Sequence, residues 1–513
     1  MRTVSTFYLS VTALLVATPM LQAAQPPTLT SALSDSPSSA QTTDSIAGPT
    51  WNYTSVFLSS PRANLATAAT SRYAFFAGGE DKDSEPQLTV DIYDNENGSW
   101  SQTQLSKARR TITGGSLADR YVLFAGGLEL GTGAFSSVVD IYDTQTQKWL
   151  DPVTLSVPRA NLVALNVNDT LLFIGGHGDR SQEAEAQGVT GGMVPSNVID
   201  MVTRDLKWSS TVLENSTAPP ALSYNPAAGA ASQSNTGFGV LAGGYYFDNP
   251  TEIRPVQHVD NRTWIFTADR VEGFTKENMQ AIDANSSTPA AQHTEGEQGE
   301  EQSQRADLFI AGPALNEPVL DAAGALVGNK FIYAGGRISP QSTLPNDNGN
   351  SAAGGPSSAG AAAAHKGSNF VDNVAILTIP NDTADSSTWA QTGNGDSANQ
   401  EDHLVLSEAR SQIAVAVVSG NGRGSSSNND DKTQYVLLGG GLTDDAYGLV
   451  TKTIDVYDVT ANRFVGQDQH LGFHIPRAGA SAVVVGGCKA LFAGGWIMGM
   501  QNATAAVDIF DIC

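Results

Sequence analysis

An apolar run closed by two glycines recurs seven times in this 513-residue chain, as Tyr73–Gly79, Tyr121–Gly127, Leu171–Gly176, Phe238–Gly244, Phe331–Gly336, Tyr435–Gly440 and Leu491–Gly495. Seven copies of one short element mean a repeat architecture, in which each unit buries its apolar faces against its neighbours. Two further elements keep step with the first. An alternating segment follows the glycines as Val90–Asp94, Val139–Asp143, Ile454–Asp458 and Val507–Asp511, and Tyr93, Tyr142, Met201 and Tyr457 each lie seven residues before an aromatic, at Trp100, Trp149, Trp208 and Phe464. Upstream, Leu-Ser-x-x-Arg ends at Arg62, Arg109, Arg159 and Arg410, with Pro476-Arg477 as a degenerate fifth copy.

Alternation of β-branched and aromatic residues with period two makes strands, and a glycine pair ends a strand where the backbone turns tightly or passes close to a neighbour. Each unit therefore predicts four short strands. Repeats of this kind, about 50 residues long, resemble the kelch repeat, whose units are the four-stranded blades of a β-propeller. The resemblance covers residues 51–513 and implies an all-β fold, a seven-bladed β-propeller of four-stranded blades spanning 48–513. The seventh unit stops at Cys513, before its expected Trp, while Trp51 stands alone ahead of Arg62. The ring is thus expected to be closed by an N-terminal strand, which completes the last blade and removes the open sheet edges. If Gly494 pairs near Val507, Cys488 faces Cys513, which predicts a disulfide in that blade.

Units four and five diverge. Unit four lacks the Arg and carries Val256-Gln257-His258 before Trp264, and unit five reads Val374-Ala375-Ile376-Leu377 before a late Trp389. Polar inserts rich in Ala, Gly, Ser, Asn, Gln and Glu occupy 177–197, 270–306, 337–370 and 419–432 and are expected to be disordered. Antiparallel strands alternate direction, so the first three inserts are expected on the glycine-bearing face, with 270–306 joining two blades, and 419–432 on the other.

Residues 1–24 have the charge, apolar run and small-residue end of a secretory signal peptide, and 25–47 form a Ser/Thr/Ala/Pro-rich leader. No later segment of the sequence is apolar enough for a membrane span, so a secreted protein is expected, associated with the cell surface or cell wall at most. Eight Asn-X-Ser/Thr sequons, at Asn52, Asn97, Asn168, Asn215, Asn261, Asn285, Asn381 and Asn502, fit that compartment. With 28 Lys and Arg against 52 Asp and Glu, the formal charge of -24 would repel a phosphate backbone, and nucleic acid is excluded as a partner class.

Chemistry is harder to find. The resemblance extends to galactose-oxidase-like copper enzymes, which require a Cys-Tyr crosslink and two His, but here the cysteines are expected to pair. His177 and His474 belong to distant units and read as surface loop residues, and His293, His365 and His403 lie in or beside the inserts. Asp91, Asp140, Asp200, Asp455 and Asp508 occur once per unit and read as architectural. No metal site, cofactor or catalytic residue is expected. The ligand-face candidates are Arg62, Arg109, Arg159, Arg410 and Arg477, which either ring the central cavity or anchor neighbouring carbonyls and the repeated Asp, together with Asn64, Thr111, Asn161, Gln412 and Gly479 just after them. Short polar side chains there suit hydrogen bonding to a protein or carbohydrate ligand. The expected function is a binding or scaffolding module without catalysis; the alternative is a secreted carbohydrate-active or carbohydrate-oxidising enzyme.

Overall fold

The structure, a computed structural model, describes residues 49–179, 193–212, 237–247, 257–259, 262–283, 308–315, 320–337, 370–379, 390–392, 404–421, 432–444, 448–466, 471–497 and 502–513. All of them belong to one unit, Ile46–Cys513. The signal-peptide and leader readings, residues 1–24 and 25–47, lie outside the described residues.

Seven small antiparallel sheets form a ring, a seven-bladed β-propeller. Blade two shows the pattern: Thr113–Leu117, Tyr121–Ala125, Val138–Asp143 and Lys148–Trp149 run outward in that order from the innermost strand. Each second strand is apolar on both sides, with Val122, Leu123, Phe124 and Ala125 wholly buried, because a blade is sandwiched between two others and both its faces are core. Phe75 of blade one thus meets Tyr142 of blade two at 5.2 Å between ring centroids.

The glycine pairs join blades. In each pair both residues are left-handed, as at Gly494 (φ 62) and Gly495 (φ 103). A Cβ on Gly494 would collide with the carbonyl of Arg62 in blade one, and the Gly495 N–H donates to that carbonyl at 3.0 Å. The same bond runs from Gly127 to Arg159, from Gly336 to Arg410 and from Gly441 to Arg477. Only glycine combines this φ with this approach. In blade six the left-handed pair is Gly440 and Gly441, one residue later than the run Tyr435–Gly440 suggests.

The N-terminal strand closes the ring. Asn52–Phe57 pairs antiparallel with Ala506–Asp511 as the outer strand of blade seven. Trp51 is not the counterpart of Trp100, however. Trp100 lies opposite Tyr93, and the residue opposite the equivalent Phe510 is Tyr53. Trp51 sits two residues earlier and packs edge-on against Tyr435 of blade six, at 6.3 Å. Cys488 and Cys513 are bonded, with Cα atoms 5.2 Å apart. The ladder pairs Ala493 with Val507, so it runs one residue out of step with the expected register. Cys513, just past the ladder, still reaches Cys488.

Two expectations about the inserts change. Residues 268–283 form a helix, α1 (Ala268–Asp283), whose Val271 is buried in the core while Asp269, Glu272 and Lys276 are exposed. Trp264 lies on the third strand of blade four, Thr263–Thr267, and the fourth strand, Ile310–Ala311, comes only after α1. The insert 270–306 therefore falls between strands three and four of one blade rather than between two blades, and its described part, α1, leaves the third strand on the face opposite the glycine pairs. The sequence hides this, because Trp264 follows Val256-Gln257-His258 as a fourth-strand aromatic follows the third strand in the regular units. The edges of two other inserts are also laddered: His177–Asp179 pairs with Met193–Pro195, and Asn421 pairs with Lys432. The expected disorder of 180–192, 284–306, 338–369 and 422–431 falls on residues outside those described.

Candidate functional site

The five arginines each stand four residues ahead of an innermost strand and turn inward into the protein. Arg62, Arg109, Arg159, Arg410 and Arg477 are 0% exposed. Each guanidinium is paired with the third-strand aspartate of its own blade: Arg62 with Asp91, Arg109 with Asp140, Arg159 with Asp200, Arg410 with Asp455 at 2.8 Å and Arg477 with Asp508 at 2.6 Å. Arg159 also donates to the carbonyls of Gly175 and Val198, both at 2.7 Å, and so ties the end of strand two to the start of strand three. Backbone N–H groups of Ser59, Ser106, Ser156, Ser407 and His474 donate to the same five carboxylates. Leu-Ser-x-x-Arg is thus one device: a buried Leu, a backbone donor and a guanidinium converging on one Asp. Burial lowers the guanidinium pKa values of Arg62, Arg109, Arg159 and Arg477, and the paired Asp opposes that shift. These residues hold the blade together and offer nothing to a ligand.

The residues two positions further on are exposed or half-buried instead. Asn64, Thr111, Asn161, Asp321, Gln412 and Gly479 all adopt left-handed φ between 52 and 60. Their backbones link blade to blade: Asn161 N–H donates to Thr111 O, Gln412 to Asp321 O and Gly479 to Gln412 O, at 3.1, 3.1 and 3.2 Å. They form a collar around the axial mouth on the glycine face. Asp321 belongs to this set and escaped sequence reading because blade five has no arginine to mark it.

A second layer accompanies the collar, made of the residue that follows the glycine pair in six of the seven blades. Glu80, Leu128, His177, Arg337, Leu442 and Trp496 occupy it, each bridged to the residue just before a collar position. That spacing was the signal available in the sequence. Glu80 accepts from Asn64 Nδ2 and from Arg110, both at 2.6 Å. Across the ring, Arg337 Nε donates to Asp321 at 2.9 Å, and its second nitrogen lies 2.9 Å from the same carboxylate. The mouth is therefore polar, with its charges arranged in pairs.

His177 departs from the surface reading. It is 2% exposed and packs edge-on against Phe135 at 5.2 Å. Burial draws its pKa down from 6.5 to about 4. The unfolded chain takes a proton near pH 6.5 that the folded one refuses until about pH 4, so this stability is fully present above 6.5 and lost as pH falls through that window. The loss by pH 4 is on the order of 3 kcal/mol. His177→Gln should melt less steeply with falling pH than the wild type between 6.5 and 4.5; parallel melting curves for the two would refute the assignment.

Among the described residues one group could gather around a metal ion, Cys488, Asp511 and Cys513, and its two sulfurs are bonded to each other. His474 is exposed beside the Arg477–Asp508 pair in blade seven, while His177 is in blade three. Asn52, Asn97, Asn168 and Asn502 are exposed; the sequons at Asn215, Asn261, Asn285 and Asn381 lie outside the described residues. No described helix is long and apolar enough to cross a membrane. The chain matches no protein-family model and no curated protein.

Proposed function

We propose that the chain is an exported, glycosylated, kelch-type propeller that binds a protein or carbohydrate ligand at the axial mouth of its glycine face and catalyses no reaction. The collar carries this reading. Five of its six described positions present Asn, Thr, Asp or Gln, and four of these, Thr111, Asn161, Asp321 and Gln412, stand on backbones joined by blade-to-blade hydrogen bonds, which is how a rigid scaffold offers preformed hydrogen-bonding groups at small entropic cost. The arginines are withdrawn into the blades, so recognition falls to these short polar groups. Export is supported by the disulfide, which persists in oxidising compartments, and by the N-terminal sequence.

The test is a glycan and secreted-protein array probed with the mature chain and with Thr111→Ala/Asn161→Ala. Hits that disappear with the double variant, while its melting temperature holds, support the mouth as the site. Hits that persist would place binding elsewhere, and conversion of a glycan hit into product would replace a binding module with an enzyme.

A further inference from the structure

The collar is interrupted at one described position. The other described members carry side chains at φ 52–54, so the backbone there does not demand glycine, yet blade seven has Gly479 at φ 60. What Gly479 changes is space. A Cβ there would stand 3.6 Å from Trp496 Cδ1, 3.7 Å from Gln412 Oε1 and 3.9 Å from Asn64 Oδ1. The missing side chain leaves a notch between blades six and one, with two carboxamide oxygens on its walls and an indole, 7% exposed, at its floor.

The orientation of one wall is fixed by chemistry. Asn64 Nδ2 donates to Glu80, whose carboxylate only accepts, so Asn64 must turn its Oδ1 toward the notch. Two acceptors facing one gap call for a donor. An apolar floor suits the methylene stem that carries it. Arg110 neutralises Glu80 locally, but the chain as a whole carries -24 and draws cations toward it.

We infer that the notch at Gly479 takes a protonated primary amine, the lysine side chain of a partner polypeptide. This rests on the proposal that the mouth is the binding surface, and it selects a protein ligand over a neutral glycan. The ammonium donates to Asn64 Oδ1 and Gln412 Oε1, and the stem lies on Trp496.

The test uses the full mature chain and a hexapeptide of Gly and Ser with one central Lys, against the same peptide with norleucine. Gly479→Asn fills the notch with a residue that already serves at φ 52 and 53 in blades one and three. The expected result is measurable binding of the lysine peptide alone, weakened about tenfold or more by Gly479→Asn, since hydrogen bonds to a charged donor are lost. Gln412→Leu, which removes one acceptor and leaves Gly479 alone, should weaken it too. Equal binding of the norleucine peptide, or unchanged affinity in both variants, overturns the inference. If array hits then still depend on Thr111 and Asn161, the notch is wrong and the binding surface stands; if lysine binds while those hits do not depend on the collar, the notch stands without it.

Discussion

A chain that begins at Leu58 should lose the ring as a whole and aggregate, whereas one that begins at Pro49 should melt like the full protein. The difference is the strand Asn52–Phe57, which supplies the fourth strand of blade seven from the far end of the chain. Its loss removes Trp51 from between blades six and seven, Val56 from the core and the Tyr53 hydroxyl from Asp508, to which it donates at 2.6 Å. That contact holds the phenol in its neutral form, with its pKa pushed up to about 12 by burial and by the carboxylate. Two partly buried side chains and a hydrogen bond to a charged acceptor together are worth on the order of 5 kcal/mol. The exposed edge of Ala506–Asp511 adds a template for intermolecular pairing. Reducing the disulfide should cost less, about 3 kcal/mol for a 25-residue separation in the chain-entropy model, and should leave the strand in place. Thermal melting and light scattering of the two truncations decide the matter, and wild-type stability of the Leu58 chain would show that the ring does not depend on this closure.

Asp140→Ala should be the most damaging single substitution of its size. It strands the Arg109 guanidinium, which is wholly buried, and removing one partner of a buried ion pair costs about 3–5 kcal/mol. The double variant Arg109→Leu/Asp140→Ala should recover most of that loss. Two blades of the same protein already run this experiment. At the position of Asp140, opposite the second strand, blade five has Ala375 and blade four has Trp264, 1% exposed. Blade five has also lost its arginine, with Val319 just before Leu320 where Arg62 stands before Ala63. Charge and countercharge vanish together, as expected where either alone is worse than neither. Urea denaturation of the single and double variants measures the coupling; a double variant as unstable as Asp140→Ala would mean that the pair itself, and not the stranded charge, carries the energy.

The sequence by itself determined the repeat number, the strand content and the closing strand, because these follow from local rules: an apolar second strand and a glycine pair repeated seven times, and an alternating third strand in four of the units. It also marked the Arg and Asp sets, whose recurrence in step identifies them as partners. Tertiary structure alone decided where those arginines point, since the same spacing permits a guanidinium to enter the channel or turn back into its blade, and only the carboxylate and carbonyls gathered there make burial favourable. It decided that α1 interrupts blade four on the opposite face, because a diverged repeat no longer shows which strand its Trp264 occupies. And it decided the site. Asn64, Glu80, Gln412, Gly479 and Trp496 span more than 400 positions of sequence, and they meet only because closing the ring brings blade seven against blade one, a long-range geometry that no local pattern encodes.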